Sequence, residues 1–208
     1  MHHRRSIRLK GYDYSQEGMY FVTVRTKKGE CVLGEITGNE MTLSAFGEIV
    51  RSSWLEIADH FTRVSLDLFQ VMPNHLHGIL LFTPSVRAIH ESPIREIPSG
   101  ESPRQNSHLD ARPGRWSTVE RRKMLLPKVI GWFKMNSAKG INDLRGTSGT
   151  SFWHRNYFEH VIRDGKDLDR IRKYILDNPA NWANDENFPG NVRMDQLHEG
   201  EEGWWALD

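Results

Sequence analysis

Between Tyr20 and Thr26 the chain carries a short-period mix of apolar and polar residues, Tyr20-Phe21-Val22-Thr23-Val24-Arg25-Thr26, that marks a strand. Residues 31–36 and 40–43 read as two further strands of a meander, set off by the turn signals Lys28-Gly29-Glu30 and Thr37-Gly38-Asn39. At Ser44 the period lengthens, and Phe46, Ile49, Val50, Trp54 and Ile57 predict a helix capped by Ser44 and running to about His60. Strands follow at residues 64–71 and 75–82. The intervening Met72-Pro73-Asn74 predicts a tight connection, because Pro73 has no N–H to donate to a ladder. Residues 84–118 are rich in Pro, Ser, Arg and Glu with almost no apolar period, which predicts a loop or partly disordered insertion. Leu125, Leu126, Val129, Ile130 and Phe133 predict a helix to about Lys139, with Pro127 tolerated in its first turn and Gly140 as its stop. A short strand is expected within residues 152–163. Asp164 then caps a last helix that runs to Asn178 and is halted by Pro179. Strands and helices alternate without βαβ regularity, so the expected class is α+β with an antiparallel sheet, and no internal repeat is visible.

At 208 residues the chain suffices for one well-packed domain, here residues 1–182 with the polar insertion at about 84–118. The lone Cys31 excludes an internal disulfide. The start Met1-His2-His3-Arg4-Arg5 lacks the apolar stretch of a signal peptide, and no window reaches transmembrane length, so a cytoplasmic protein without a membrane partner is expected. The net charge of +1 conceals an asymmetry: residues 183–208 form an acidic C-terminal tail of seven acids and one base, leaving +7 on the preceding 182. Basic residues gather at Arg4, Arg5, Arg8 and Lys10 and again between Arg112 and Lys139, the footprint of a polyanion partner. The alternative is plain solubilising charge. The tail either occludes the basic face or is simply solvated.

The chemistry concentrates in Met72-Pro73-Asn74-His75-Leu76-His77. On a strand, residues i and i+2 share a face, so His75 and His77 point the same way and can chelate one divalent ion, while Leu76 faces a core. On the last helix, Leu168, Ile171 and Ile175 form a buried stripe, and Asp167, Tyr174 and Asn178 lie along its flank. Tyr174 and Asn178 are four apart and stack on one face, suited to bring a phenol nucleophile and an amide ligand to the same ion. Pro179 biases Asn178 away from helical angles, which makes that shared facing approximate.

These residues together carry a resemblance. His75-Leu76-His77 resembles the HUH signature of single-strand DNA transposases. Tyr157-Phe158-Glu159-His160-Val161-Ile162-Arg163-Asp164, followed by Arg172-Lys173-Tyr174-Ile175-Leu176-Asp177-Asn178-Pro179, resembles the REP-associated tyrosine transposases, in the right order over roughly residues 14–182. The resemblance implies a ferredoxin-like antiparallel sheet with helices packed on it, of the HUH endonuclease type. It implies that His75, His77 and Asn178 bind a divalent metal, Mg²⁺ or Mn²⁺, and that Tyr174 is the single nucleophile. The implied activity is cleavage and transfer of single-stranded DNA near a REP-type hairpin through a 5′-phosphotyrosine and a free 3′-hydroxyl, with no nucleotide cofactor; no Gly-x-x-x-x-Gly-Lys-Ser/Thr loop is present. The implied enzyme is a monomer in the REP-associated branch, whereas insertion-sequence relatives act as dimers.

Other readings stand beside it. The histidines could be satisfied sheet residues in a noncatalytic hairpin-binding regulator, or ligands in a hydrolase that activates water. Tyr12, Tyr14, Tyr20 and Tyr157 are rival tyrosines, but only Tyr174 has a ligand-type residue at i+4. His160 shares a strand face with Phe158 and Ile162 and is expected in a packed or supporting place. Asp167 either orients Tyr174 or, more simply, favours the positive end of its helix. Lys134 joins Arg4, Arg5, Arg8 and Lys10 as a candidate phosphate contact in DNA binding, with a solvated face as the alternative. Trp116, Trp132 and Trp153 are candidates for stacking on bases, with core packing the expectation for Trp132. His60, His90, His108 and His198 fall in unpatterned places and are expected to be solvated.

Overall fold

The computed structural model describes residues 11–84 and 117–190. Arg4, Arg5, Arg8 and Lys10, Trp116, His90, His108, His198, nearly all of the polar insertion and the acidic stretch from 191 onward lie outside the described residues.

Four strands form one antiparallel sheet. β1 (Gly18–Arg25) and β5 (His75–Phe82) occupy its centre, with β4 (Val64–Met72) beside β5 and β6 (Phe158–Ile162) beside β1. A separate hairpin of β2 (Gly34–Thr37) and β3 (Glu40–Leu43) turns at Gly38 and Asn39, both with positive φ, the pairing that a two-residue turn of matching twist requires. The helices are α1 (Ala45–His60), α2 (Thr118–Lys123), α3 (Leu125–Arg145) and α4 (Gly165–Asp177), with short 3₁₀ turns at Lys27–Gly29 and Trp182–Asn184. Without the small hairpin and α2, the order β1, α1, β4, β5, α3, β6 with sheet order β4-β5-β1-β6 is the split βαβ arrangement of ferredoxin-like proteins. The α+β class expected from the sequence is the one observed.

Each sheet face has its own cover. Val22, Val24, Leu76 and Leu80 point toward α1 and α3, packing with Val50, Trp54, Ile57, Ile130 and Phe133. Phe21 and Ile79 point the other way, onto Ile171 and Ile175 of α4, with Leu168, Phe158 and Tyr174 at the margin. A fully buried aliphatic or aromatic side chain is worth about 1.5–3 kcal/mol, so the larger first layer holds the fold while the thinner second positions α4. Gly78 belongs to the first face: a Cβ there would lie 2.3 Å from Cζ2 of Trp54. β4 shifts register between Leu66 and Phe69, and within that stretch the Asp67 carboxylate takes a two-pronged bond from Arg172 of α4 at 2.9 and 2.5 Å.

Several local expectations hold. Ser44 and Asp164 cap α1 and α4 by accepting from Gly47 N and Asp167 N, and Pro127 sits in the first turn of α3. Others need correction. α3 does not stop at Gly140 but continues to Arg145, and Gly146 in the left-handed region ends it. Gly140 lies inside the helix where α1 comes close, since a Cβ would meet Ile49 Cγ2 at 3.0 Å. The strand expected over 31–36 begins only at Gly34. Leu33 is instead fully buried, with its N–H on Pro73 O and its carbonyl taken by Ser44 N. Two further expectations hold: His60 is exposed, and Trp132 packs against the core, partly buried, with its ring stacked on His60 at 4.5 Å between centroids.

Candidate active site

Met72 pairs with His75 across the two-residue Pro73–Asn74 turn, and β5 starts at its first histidine. From there period two takes over: Leu76 enters the α1 and α3 core, while His75 and His77 emerge on the α4 face beside Arg25 and Thr23, their register partners on β1. Both imidazoles are buried, at 0% and 2% exposure. Their Nε2 atoms face each other at 2.9 Å. His75 Nδ1 lies 2.8 Å from Asn74 Oδ1, and His77 Nδ1 lies 2.8 Å from Thr23 Oγ1. Burial pushes His75 down to about 3, with the nearby Arg25 charge adding to the effect. His77 falls well below its ordinary value through burial and its neighbour His75, with Asp185 opposing. Two neutral rings are the form that ligates metal.

Tyr174 closes the group from α4. Its hydroxyl lies 3.2 Å from His77 Nε2, 97 residues away in sequence, and donates to Asp185 Oδ2 at 3.4 Å. Phe21 stacks on His77 and meets the Tyr174 ring edge-on, so the apolar layer sets both rings. Asn178 follows one turn later and is 3% exposed. It keeps helical angles, φ −60° and ψ −41°, against the bias expected from Pro179, because the chain keeps turning: Asn181 N reaches back to Asp177 and Asn178 carbonyls. Its Nδ2 donates to Asp185 Oδ2 at 3.2 Å, and its buried Oδ1 has no hydrogen-bond partner among the described residues.

Asp185 was not expected here. It lies in the stretch read as the start of an acidic tail, yet it is 8% exposed, and His75, His77 and Asp185 offer ligand atoms all within 4.8 Å of one another. These three residues form a group that can hold a metal ion. The 3₁₀ turn at Trp182–Asn184 doubles the chain back, Trp182 settles beside His75, and Asp185 Oδ1 takes the Asn187 N–H at 2.6 Å. The folded region therefore runs past the expected boundary at 182. The fit to a cation rests on two observations. The 2.9 Å between the two Nε2 atoms is the spacing of neighbouring ligands that each sit roughly 2.1 Å from one ion. The orphaned Asn178 Oδ1 is a buried acceptor of the kind a hard cation satisfies. Next to this group, Glu186 is raised by burial and by Asp185, and the Arg25 guanidinium balances that acidic pair.

The remaining expected site residues are elsewhere. His160 Nε2 bonds Asp167 Oδ2 at 2.7 Å, and Asp167 also takes Arg170 Nη2 at 2.8 Å and the Arg163 N–H, so this pair ties β6 to the start of α4 rather than steering Tyr174. Lys134 spends its three donors on the carbonyls of His154, Arg155 and Asn156 at 2.5, 3.1 and 3.4 Å, and burial pushes its ammonium down to about 8. Trp153 is buried with its Nε1 on Ser137 Oγ. Among the described residues no helix is long and apolar enough to cross a membrane.

Fold and site together define a ferredoxin-like α+β protein with a buried His-His-Asp group beside a helix-borne tyrosine. No known family profile matches the chain. A Haemophilus influenzae protein described as uncharacterized is 37% identical over 188 residues, covering 90% of this chain and 94% of its own length, and the chain belongs to that protein's family. Among solved structures, a REP-associated tyrosine transposase bound to a REP hairpin aligns with a TM-score of 0.43 and 16% identity over 88% of this chain and 74% of its own. A Deinococcus radiodurans protein described as a candidate transposase aligns with a TM-score of 0.41 and 16% identity, over 81% and 95% respectively.

Proposed function

We propose that the protein is a metal-dependent tyrosine endonuclease and strand transferase acting on single-stranded DNA beside a REP-type hairpin, with Tyr174 as nucleophile. The observation that carries this reading is the approach of the Tyr174 hydroxyl to His77 Nε2 at 3.2 Å, in a pocket that also holds Asp185. A packed tyrosine would also seek a partner for its hydroxyl; what supports the catalytic role is that both groups in reach, His77 and Asp185, belong to the one group able to hold a metal ion among the described residues.

His75, His77 and Asp185 would hold the ion, with Asn178 Oδ1 a further ligand within the same group of bonds. Mg²⁺ or Mn²⁺ suits this mixed nitrogen and oxygen set, and when bound it supplies Lewis-acid polarisation of the scissile phosphate. Every other part is the chain's own. A free phenol titrates near 10, so Tyr174 needs an acceptor for its proton, and Asp185 Oδ2 at 3.4 Å is within reach. The Tyr174 oxygen then bonds to phosphorus, the bond from phosphorus to the 3′-oxygen breaks, and that oxygen leaves as a hydroxyl by taking a proton from water, while the phenol proton passes to Asp185 and from there to solvent. The 5′-phosphotyrosine retains the phosphodiester linkage, so a DNA 3′-hydroxyl reverses the step and rejoins strands without nucleotide hydrolysis. The histidines and the tyrosine come from one chain, which supports action as a monomer. The basic N-terminal residues would hold the DNA backbone in the cytoplasm, where chromosomal hairpins are reached.

The test is an incubation with an end-labelled hairpin oligonucleotide and Mn²⁺ or Mg²⁺, followed by a denaturing gel. Wild type gives a denaturation-resistant protein–DNA band and Tyr174→Phe gives none. Hairpin binding without any band in wild type would point to the noncatalytic regulator, and cutting that survives Tyr174→Phe would point to activated water.

A further inference from the structure

One buried amide joins the first histidine to two distant segments. Asn74 is 1% exposed, and its Nδ2 donates to Gly29 O at 3.1 Å and to Asn187 O at 2.7 Å. Both acceptors are backbone carbonyls with no hydrogen to give, so the amide has one orientation, and the atom facing His75 Nδ1 at 2.8 Å is Oδ1. An amide oxygen only accepts. His75 Nδ1 therefore carries the hydrogen, and because a neutral imidazole has one N–H, the His75 Nε2 lone pair looks into the pocket.

His77 is held differently. Its Nδ1 faces the Thr23 hydroxyl at 2.8 Å, which can donate or accept by rotating. With His75 Nε2 already an acceptor, the 2.9 Å contact between the rings is satisfied when His77 Nε2 carries a hydrogen and Thr23 donates to Nδ1. The two histidines are thus unequal: one tautomer is imposed, the other is free to change.

Resting on the metal-centre reading above, we infer that Asn74 is a positioning residue that presets His75 as a ligand and ties the Asp185-bearing segment to the same turn, so that cation entry changes the tautomer of His77 alone. The link to Asp185 is short, since Asp185 Oδ1 binds the N–H of the residue whose carbonyl Asn74 holds. A partner group that fixes a ligating imidazole is worth about 10–100-fold in metal affinity.

Long-range ¹H–¹⁵N spectra of the histidine rings, recorded on metal-free protein and after adding Mg²⁺, test the inference together with Mn²⁺ affinity read by electron paramagnetic resonance. Wild type is expected to show Nδ1–H on His75 throughout, and Nε2–H on His77 that moves to Nδ1 with metal. Asn74→Ala is expected to lose the single His75 tautomer and about 10–100-fold in Mn²⁺ affinity. Asn74→Asp keeps an acceptor for Nδ1–H and is expected to retain the tautomer even where the lost bonds to Gly29 and Asn187 lower stability. An Nε2–H on His75 in metal-free wild type overturns the inference without any variant. So does an Asn74→Ala protein that keeps both tautomer and affinity. A wild type that shows the expected metal-free tautomers yet binds no Mn²⁺ overturns instead the metal-centre reading and, with it, the His77 change.

Discussion

Gly78→Ala should be among the most damaging single-methyl additions in the protein. The new Cβ would stand 2.3 Å from Trp54 Cζ2 and 2.9 Å from Cε2 and Cη2. Ordinary carbon contacts begin at about 3.5 Å, so the ring or the strand must give by roughly 1 Å. Neither has room. The indole is fully buried, edge-on to Phe133 at 5.2 Å and tilted on Phe69 at 6.2 Å, and β5 is paired on both sides. Overpacking of this kind costs typically 1–3 kcal/mol, and the depth of the overlap places the loss at about 3 kcal/mol. Urea unfolding reads it as a lower midpoint at unchanged slope. Trp54→Phe shortens the ring, so the double variant should recover more than 1 kcal/mol relative to additivity, an order-of-magnitude expectation for neighbours in contact. Gly78→Ala within about 0.5 kcal/mol of wild type, or strict additivity, would refute the claim that this face is closed by Trp54. Because His77 precedes Gly78, Mn²⁺ affinity in Gly78→Ala also reports whether the strand, rather than the ring, moved.

Metal-free protein should lose stability as pH falls from 6.5 toward 4.5. The folded-state values of His75 and His77 lie below the unfolded one, so the unfolded chain takes up protons first; the stabilisation is complete above about 6.5 and declines by up to about 1.4 kcal/mol per pH unit per histidine. Glu186, raised by burial, works in the opposite direction, so the difference between wild type and His75→Gln in chelator-treated urea titrations is the quantity to read, and equal slopes would contradict the prediction. Asp185→Asn keeps an acceptor for the Asn187 N–H but removes the charge, and should weaken Mn²⁺ binding at least about tenfold in a calorimetric titration. An unchanged affinity would exclude Asp185 as a ligand. Breaking the Asp67–Arg172 bond that anchors α4 to β4 should show favourable coupling between the two sites in a double-mutant cycle, with zero coupling the contrary result.

What the sequence made legible is what local periods and capping chemistry encode. Strand alternation put His75 and His77 opposite Leu76, and Ser44 and Asp164 announced their helices. The rest depends on where the chain folds back. Gly140 looks like a helix stop until Ile49 of α1 is seen against it. Asn178 stays helical ahead of proline because the following turn and Asp185 hold it. Asp185 was hidden at the start of a stretch whose overall acidity reads as a tail, and its burial comes from the return turn at Trp182–Asn184 and from Asn74, 113 residues before Asn187, neither of which has a period to read. Lys134 looked like a free cation, and only the fold brings three carbonyls to it.

Peptide mapping of the protein after reaction with hairpin DNA and divalent metal decides whether Tyr174 is the nucleophile. The expected product is a nucleotide joined through its 5′-phosphate to the peptide that contains Tyr174. A nucleotide on Tyr157 or Tyr14, or cleaved DNA with no modified peptide, would contradict it.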